Sequence, residues 1–274
     1  MINYLTRTYG PTSWPSKPGD GGDDCLWNGM LCHVGFVCFS KLWSFQNTRV
    51  TEKRFGMFYR NPERALTDGI PPHYFSRDMA MGVLLGLCGD TIGTFIYVSA
   101  GIWAKYFGYR MRYAPDNRSW ITPWMAALTS LVYDSHGYKG LPKLYRLFSV
   151  KNKLLQKYVL WETKHCPVKS GLHLKACSVL ILRACGEHDL ADKIAEICYQ
   201  RNPEDVFYNL LRNKENTDMT TLKALVAGYK EPTNVWCWGR ERFDFLKEQC
   251  GIDLIFAVKL AEKYGALQQG EICV

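Results

Sequence analysis

Apolar residues recur three and four positions apart along most of the chain, and period-two alternation is nearly absent. That spacing lines one face of an α-helix, so the pattern predicts a mostly helical protein. Local punctuation sets the elements. Residues 1–22, rich in Pro, Gly, Ser and Thr, read as an extended N-terminal arm, and residues 23–274 as a single helical domain. Asp23 and Asp24 open an apolar helical segment running to Trp43, and 45–72 reads as a long basic loop. Ser76 is an N-cap for a helix over Arg77–Leu87, and Asp90 or Thr91 caps a second over Ile92–Phe107. Thr122-Pro123 opens a helix ending near Ser135, and Pro142 precedes a periodic segment over 144–165. Further helices are expected over Leu172–Ala184, Asp189–Gln200, Pro203–Arg212, Met219–Ala227, Glu241–Cys250 and Asp253–Tyr264. Gly186, Gly228, Gly251 and Gly265 fall near helix ends, where a left-handed residue closes the last turn. The fold class is therefore all-α, built from stacked antiparallel helical hairpins.

Composition narrows the setting. The 274 residues carry 11 cysteines, most inside apolar segments, with no C-x-x-C and no zinc-ligand spacing. Such thiols suit a reducing cytosol, and no structural metal is expected. No apolar stretch of signal-peptide type lies in residues 1–22, which predicts a cytoplasmic protein on synthesis. Met79–Trp103 is long and apolar enough to span a bilayer, but Asp90 and its flanking glycines break it. We read it as a buried soluble hairpin, without integral membrane association.

The net charge of +8 is local. Between Lys139 and Lys175 lie nine basic residues and one acid, Glu162, and the remainder of the chain is balanced. Such a stripe attracts an anionic polymer, a nucleic acid among them, or presents a solvated helix surface. P-loop, dinucleotide, nucleophile-elbow and zincin motifs are missing, so no cofactor is expected.

Four segments carry candidate chemistry. Gly-Asp-Gly-Gly-Asp-Asp at 19–24 offers Asp24 as an acid/base or sugar-binding carboxylate, or as a helix cap. His-Tyr-Phe-Ser-Arg-Asp at 73–78 offers Arg77 as an anion clamp and Asp78 as acid or base. Trp236 and Trp238 with Arg240 form a candidate stacking surface and clamp. His173 stands in the first turn of a later helix, where a structural role competes with substrate binding.

Together with Asn-Pro-Glu-Asp-Val-Phe-Tyr at 202–208, and taken in chain order, these pieces resemble α/α-toroid proteins of phage and bacterial polysaccharide processing. The resemblance implies an incomplete or small toroid whose inner helices present their N-termini around one mouth. It also implies Asp24 and Asp78 as catalytic carboxylates, with Arg77, His173, Trp236, Trp238 and Arg240 holding an acidic polysaccharide. Two rival expectations stand beside it. One is a non-enzymatic phage virion or interaction protein that assembles as a homo-oligomer or with virion proteins; the other is a nucleic-acid-associated protein using residues 139–175.

Overall fold

The protein is described from a computed structural model over residues 1–9, 12–16, 24–37, 77–88, 122–137, 148–168, 170–232 and 250–274. The expected loop at 45–72, the helices at 92–107 and 241–250, and Trp236, Trp238 and Arg240 lie outside these residues. Among the described residues the architecture is helical, with one two-stranded antiparallel sheet. Strands β1 (Leu5–Tyr9) and β2 (Thr12–Ser16) pair in register from Leu5 opposite Ser16 to Tyr9 opposite Thr12. The helices are α1 (Asp24–His33), α2 (Arg77–Cys88), α3 (Pro123–Ser135), α4 (Lys153–His165) and α5 (Ser170–Ala184). They continue with α6 (His188–Arg201), α7 (Val206–Asn213), α8 (Thr220–Gly228) and α9 (Ile252–Tyr264).

Side-chain caps explain several starts. Thr122 accepts the Met125 N–H at 3.2 Å, and Pro123 occupies the first turn of α3, where its missing N–H costs nothing. Asn152 accepts the N–H groups of Leu154 and Leu155, so α4 begins at Lys153; of the periodic segment expected over 144–165, residues 144–147 lie outside the described residues. Asp205 starts α7 in the same way, with Phe207 N–H at 2.9 Å. Two expected ends differ. Helix α1 stops at His33, followed by Gly35 in the left-handed region, well before Trp43. Gly228 is the last residue of α8 and needs no positive φ, unlike Gly186, Gly251 and Gly265.

Helices α2, α3 and α5 run in the same direction. Arg77, Thr122, Trp124 and Gly171, all near helix starts, line one cleft. At the opposite end His136 Nε2 donates to Leu87 O at 3.1 Å, and Cys185 Sγ lies 3.6 Å from Ser135 Oγ. Helix α4 returns antiparallel, its last turn at the cleft and its approach at the far end. Arg201, closing α6, donates to Thr163 O at 2.8 Å and so caps the α4 carbonyls with a cation.

The core is aromatic where α1, α7 and α9 meet. Phe256 packs edge-on against Trp27 and Phe207, with ring centroids 6.2 and 5.5 Å apart. All three side chains are fully buried, and each such residue contributes roughly 1.5–3 kcal/mol by leaving water. The arm docks on this body: Ile2 is buried, Asn28 Nδ2 donates to Pro15 O at 3.1 Å, and Tyr229 Oη donates to Asn3 O at 2.5 Å. Gly251, with φ of +85°, sits so close to Asn3 O that any Cβ there would strike the arm.

Two outcomes follow from this packing. Helices α1 and α2 approach through Gly29, where an added Cβ would overlap the Gly82 carbonyl. Gly29→Ala should lower stability by about 1–3 kcal/mol, read from urea midpoints. At the end of α1, Lys263 Nζ donates to His33 O at 2.7 Å, and burial followed by the Lys263 charge pulls the imidazole down to about 3. Unfolded His33 takes a proton near pH 6.5 that the folded protein refuses, so stability should fall as pH drops from about 6.5 toward 3. His33→Gln should show a smaller loss than wild type between pH 6.5 and 4.5 in parallel urea titrations.

Candidate functional site

Helix α5 buries almost its whole length, so its polar side chains must find partners inside the protein. Lys175, only 6% exposed, does so with Glu162 of α4 at 2.5 Å, and Ser178 accepts the Trp124 indole N–H of α3 at 3.0 Å. These bonds fix α3 and α4 against α5 and shape the cleft at the helix starts. It encloses about 210 Å³, with Arg77, Glu162 and Lys175 as its charged groups and Met81, Trp124 and Leu174 as an apolar wall. Three helix N-termini face this space, and their partial positive charge adds to the two cations; Glu162 opposes them.

A second feature lies on the outside of α4. Val159 and Thr163 are buried, and Leu155 and Leu160 pack partly into the core. The opposite face carries Leu154, Tyr158 and Trp161, which are 76%, 46% and 58% exposed. Among the described residues these are three of the four large apolar side chains left in water. Tyr158 and Trp161 rings stand 6.4 Å apart, and Trp161 stacks on His165 at 4.8 Å. Lys151, Lys153, Lys157 and Lys164 are exposed around them. Among the described residues Lys151 makes a long ion pair with Glu187, at 3.8 Å. An aromatic stripe edged with ammonium groups stacks on planar rings and attracts negative charge.

The sequence candidates separate in the structure. Arg77 lines the cleft and Asp78 follows it in the first turn of α2. Asp24 opens α1, but its side chain lies outside the described residues, as do Trp236, Trp238 and Arg240. His173 is buried on α5, its Nε2 3.5 Å from Cys177 Sγ and its ring 6.3 Å from that of Phe207. Asp78 adds its charge to the same thiol, so a Cys-His-Asp trio forms around α5. Burial first, and Asp78 second, push the Cys177 thiol far above its usual range, which leaves it protonated and without access to substrate. Lys175, placed in the basic stripe by sequence, points inward instead. The outward rings of α4 went unnoticed because its apolar residues occupy both faces, a pattern visible in the sequence as a helix with no continuous polar side.

No described helix is long and apolar enough to cross a membrane; α2 has 12 residues, too few for a ~30 Å hydrocarbon core. No cluster of His, Cys, Asp or Glu suited to a metal occurs among the described residues. No protein-family model, curated protein or solved structure matches the chain.

The buried trio gives a direct check. Cys177 should resist alkylation by iodoacetamide at pH 8 in the native protein and react at the free-thiol rate once urea unfolds it. Rapid native labelling at Cys177, mapped by mass spectrometry, would contradict its assignment as a packing residue.

Proposed function

We propose that the protein binds single-stranded nucleic acid through the outward face of α4. The observation that carries this reading is the exposed Leu154–Tyr158–Trp161 stripe bordered by Lys151, Lys153, Lys157 and Lys164. Bases stack on exposed aromatic rings, about 1–3 kcal/mol each, and lysines track the phosphates as point charges. Leaving two large aromatic side chains in water is otherwise unfavourable, so a partner that covers them is a physical reason for their placement. We further infer that α2, α3 and α5, parallel and starting around one cleft, belong to the inner layer of an incomplete toroid of helical hairpins.

The cleft beside Arg77 supports a second reading, an acidic polysaccharide bound or cleaved with Asp24 and Asp78 as carboxylates and Arg77 as clamp. Its apolar wall and cations suit a charged sugar. It predicts that Asp78→Asn abolishes sugar release with little change in melting temperature.

Fluorescence anisotropy with oligo-dT and oligo-U tests the first reading. Wild type should bind, with log Kd rising about 0.7 per contacted phosphate for each tenfold rise in salt. Trp161→Ala should weaken binding roughly 5- to 100-fold, the equivalent of one lost stack, while leaving the urea midpoint nearly unchanged. Changing Lys151, Lys153 and Lys157 together to Glu should weaken association and flatten its salt dependence. Absence of binding at 50 mM salt, or equal affinity of the Trp161 variant, would overturn the assignment. Binding of a polyuronate but of neither oligonucleotide would put the polysaccharide reading in its place.

A further inference from the structure

The cleft at the starts of α2, α3 and α5 holds an unmatched charge. Lys175 and Glu162 neutralise each other at 2.5 Å. Arg77, half-buried on the first turn of α2, lines the same space and has no ion-pair or hydrogen-bond partner among the described residues. One positive charge is therefore left over, and the three helix starts add to it. Thr122 supplies a directed donor. Its oxygen accepts the Met125 N–H at 3.2 Å, which leaves the hydroxyl hydrogen free among the described residues. The remaining wall is apolar. Met81 and Trp124 are each 2% exposed, and the indole N–H of Trp124 is already given to Ser178, so the ring offers only apolar surface. Leu174 completes that wall. At about 210 Å³ the cleft is smaller than the roughly 300–1,000 Å³ of sites for drug-sized ligands, and it suits a single ring.

We propose that this cleft binds a small monocarboxylate with an apolar, ring-sized body, of the aryl-acetate type. The carboxylate takes the two-pronged guanidinium of Arg77 and the Thr122 hydroxyl, and the ring lies on Met81, Trp124 and Leu174. Charge decides among the alternatives. One negative charge matches the one cation left over. A zwitterion would bring an ammonium beside Lys175 and Arg77, and a phosphate monoester would bring a second negative charge toward Glu162. Both add repulsion in a half-enclosed site, where water and salt screen charges less. A short acid without the ring forfeits the apolar burial, and a hydroxylated ring would set unpaired hydroxyls against an apolar wall.

The proposal does not depend on what α4 binds, and it differs from the polysaccharide reading in the body the cleft accepts. Its test titrates phenylacetate against the full chain by saturation-transfer NMR, beside acetate, phenylalanine, phenyl phosphate and galacturonate. Phenylacetate should bind about tenfold or more tightly than each of the others. Cys166 lines the cleft and is half-buried, so bound ligand should slow its alkylation by N-ethylmaleimide. That readout maps to the tryptic peptide 165–169, which holds no other cysteine. Arg77→Gln should weaken phenylacetate roughly 10- to 100-fold, and Arg77→Lys, which keeps the charge without the fork, should recover only part. Trp161→Ala should leave the affinity unchanged, which separates this site from the outer face of α4. Tighter binding of phenyl phosphate or phenylalanine would overturn the charge match, and tighter binding of galacturonate the apolar body. No binding of phenylacetate at millimolar concentration, or binding without protection of Cys166, would overturn the site itself. The ligand comparison and the Cys166 readout use the wild-type chain and do not depend on a variant folding.

Discussion

Helix α5 has almost no solvent face, and the arrangement of the described helices follows from that constraint. Leu172, Ala176, Val179, Leu180, Ile181 and Leu182 are all at 0% exposure, so helices must cover α5 on every side. Its polar residues then decide how they cover it. A buried ammonium without a counter-charge costs several kcal/mol, which forces Glu162, and with it the last turn of α4, against Lys175. The Trp124 indole N–H finds its acceptor in Ser178 and sets the height of α3. Apolar area supplies most of the stabilisation here, and the few polar contacts select one register among several that would bury similar area.

The parallel run of α2, α3 and α5 gives the two ends of the bundle opposite electrostatics. At the starts, unsatisfied N–H groups add positive partial charge to Arg77 and Lys175, and the cleft favours anions to the extent that Glu162 allows. At the other end the carbonyl-rich termini disfavour a thiolate. His136 and Lys263 take up carbonyls there by donating to Leu87 O and His33 O. The same helix packing thus makes an anion-favouring mouth and, about 20 Å away at 1.5 Å per residue, a carbonyl-rich end closed by side-chain donors.

Helix positions were legible wherever a short-range physical signal fixed them. Thr122-Pro123, Asn152 and Asp205 cap by bonds that reach two or three residues, and the Gly265 closure needs only its own backbone. The β-hairpin was not legible: Leu-Thr-Arg-Thr-Tyr and Thr-Ser-Trp-Pro-Ser show little alternation. Ile2 burial and the bonds from Asn28 and Tyr229 to the Pro15 and Asn3 carbonyls attach it to the helices. The inward turn of Lys175 was equally hidden, since its partner is thirteen residues away and its charge read as surface. Of the candidate site, Arg77 reaches a cleft, whereas His173 is buried beside Cys177 and Phe207.

Helix α4 shows why function was harder to read than fold. Periodicity detects an apolar face but not which neighbour covers it, and α4 has two such faces. The inner one, Leu155, Val159 and Leu160, is saturated by α5, α6 and the α3 side of the bundle, with Arg201 closing the carbonyl end. Once those contacts are made, Leu154, Tyr158 and Trp161 are left on the outer face, 76%, 46% and 58% exposed. Rotating α4 by half a turn would bury the rings, but it would also bury the ammonium groups of Lys157 and Lys164 without partners and pull Glu162 off Lys175. The charge pattern therefore selects the orientation that leaves the aromatic stripe outside, with its lysines in water and its ring faces open to a partner.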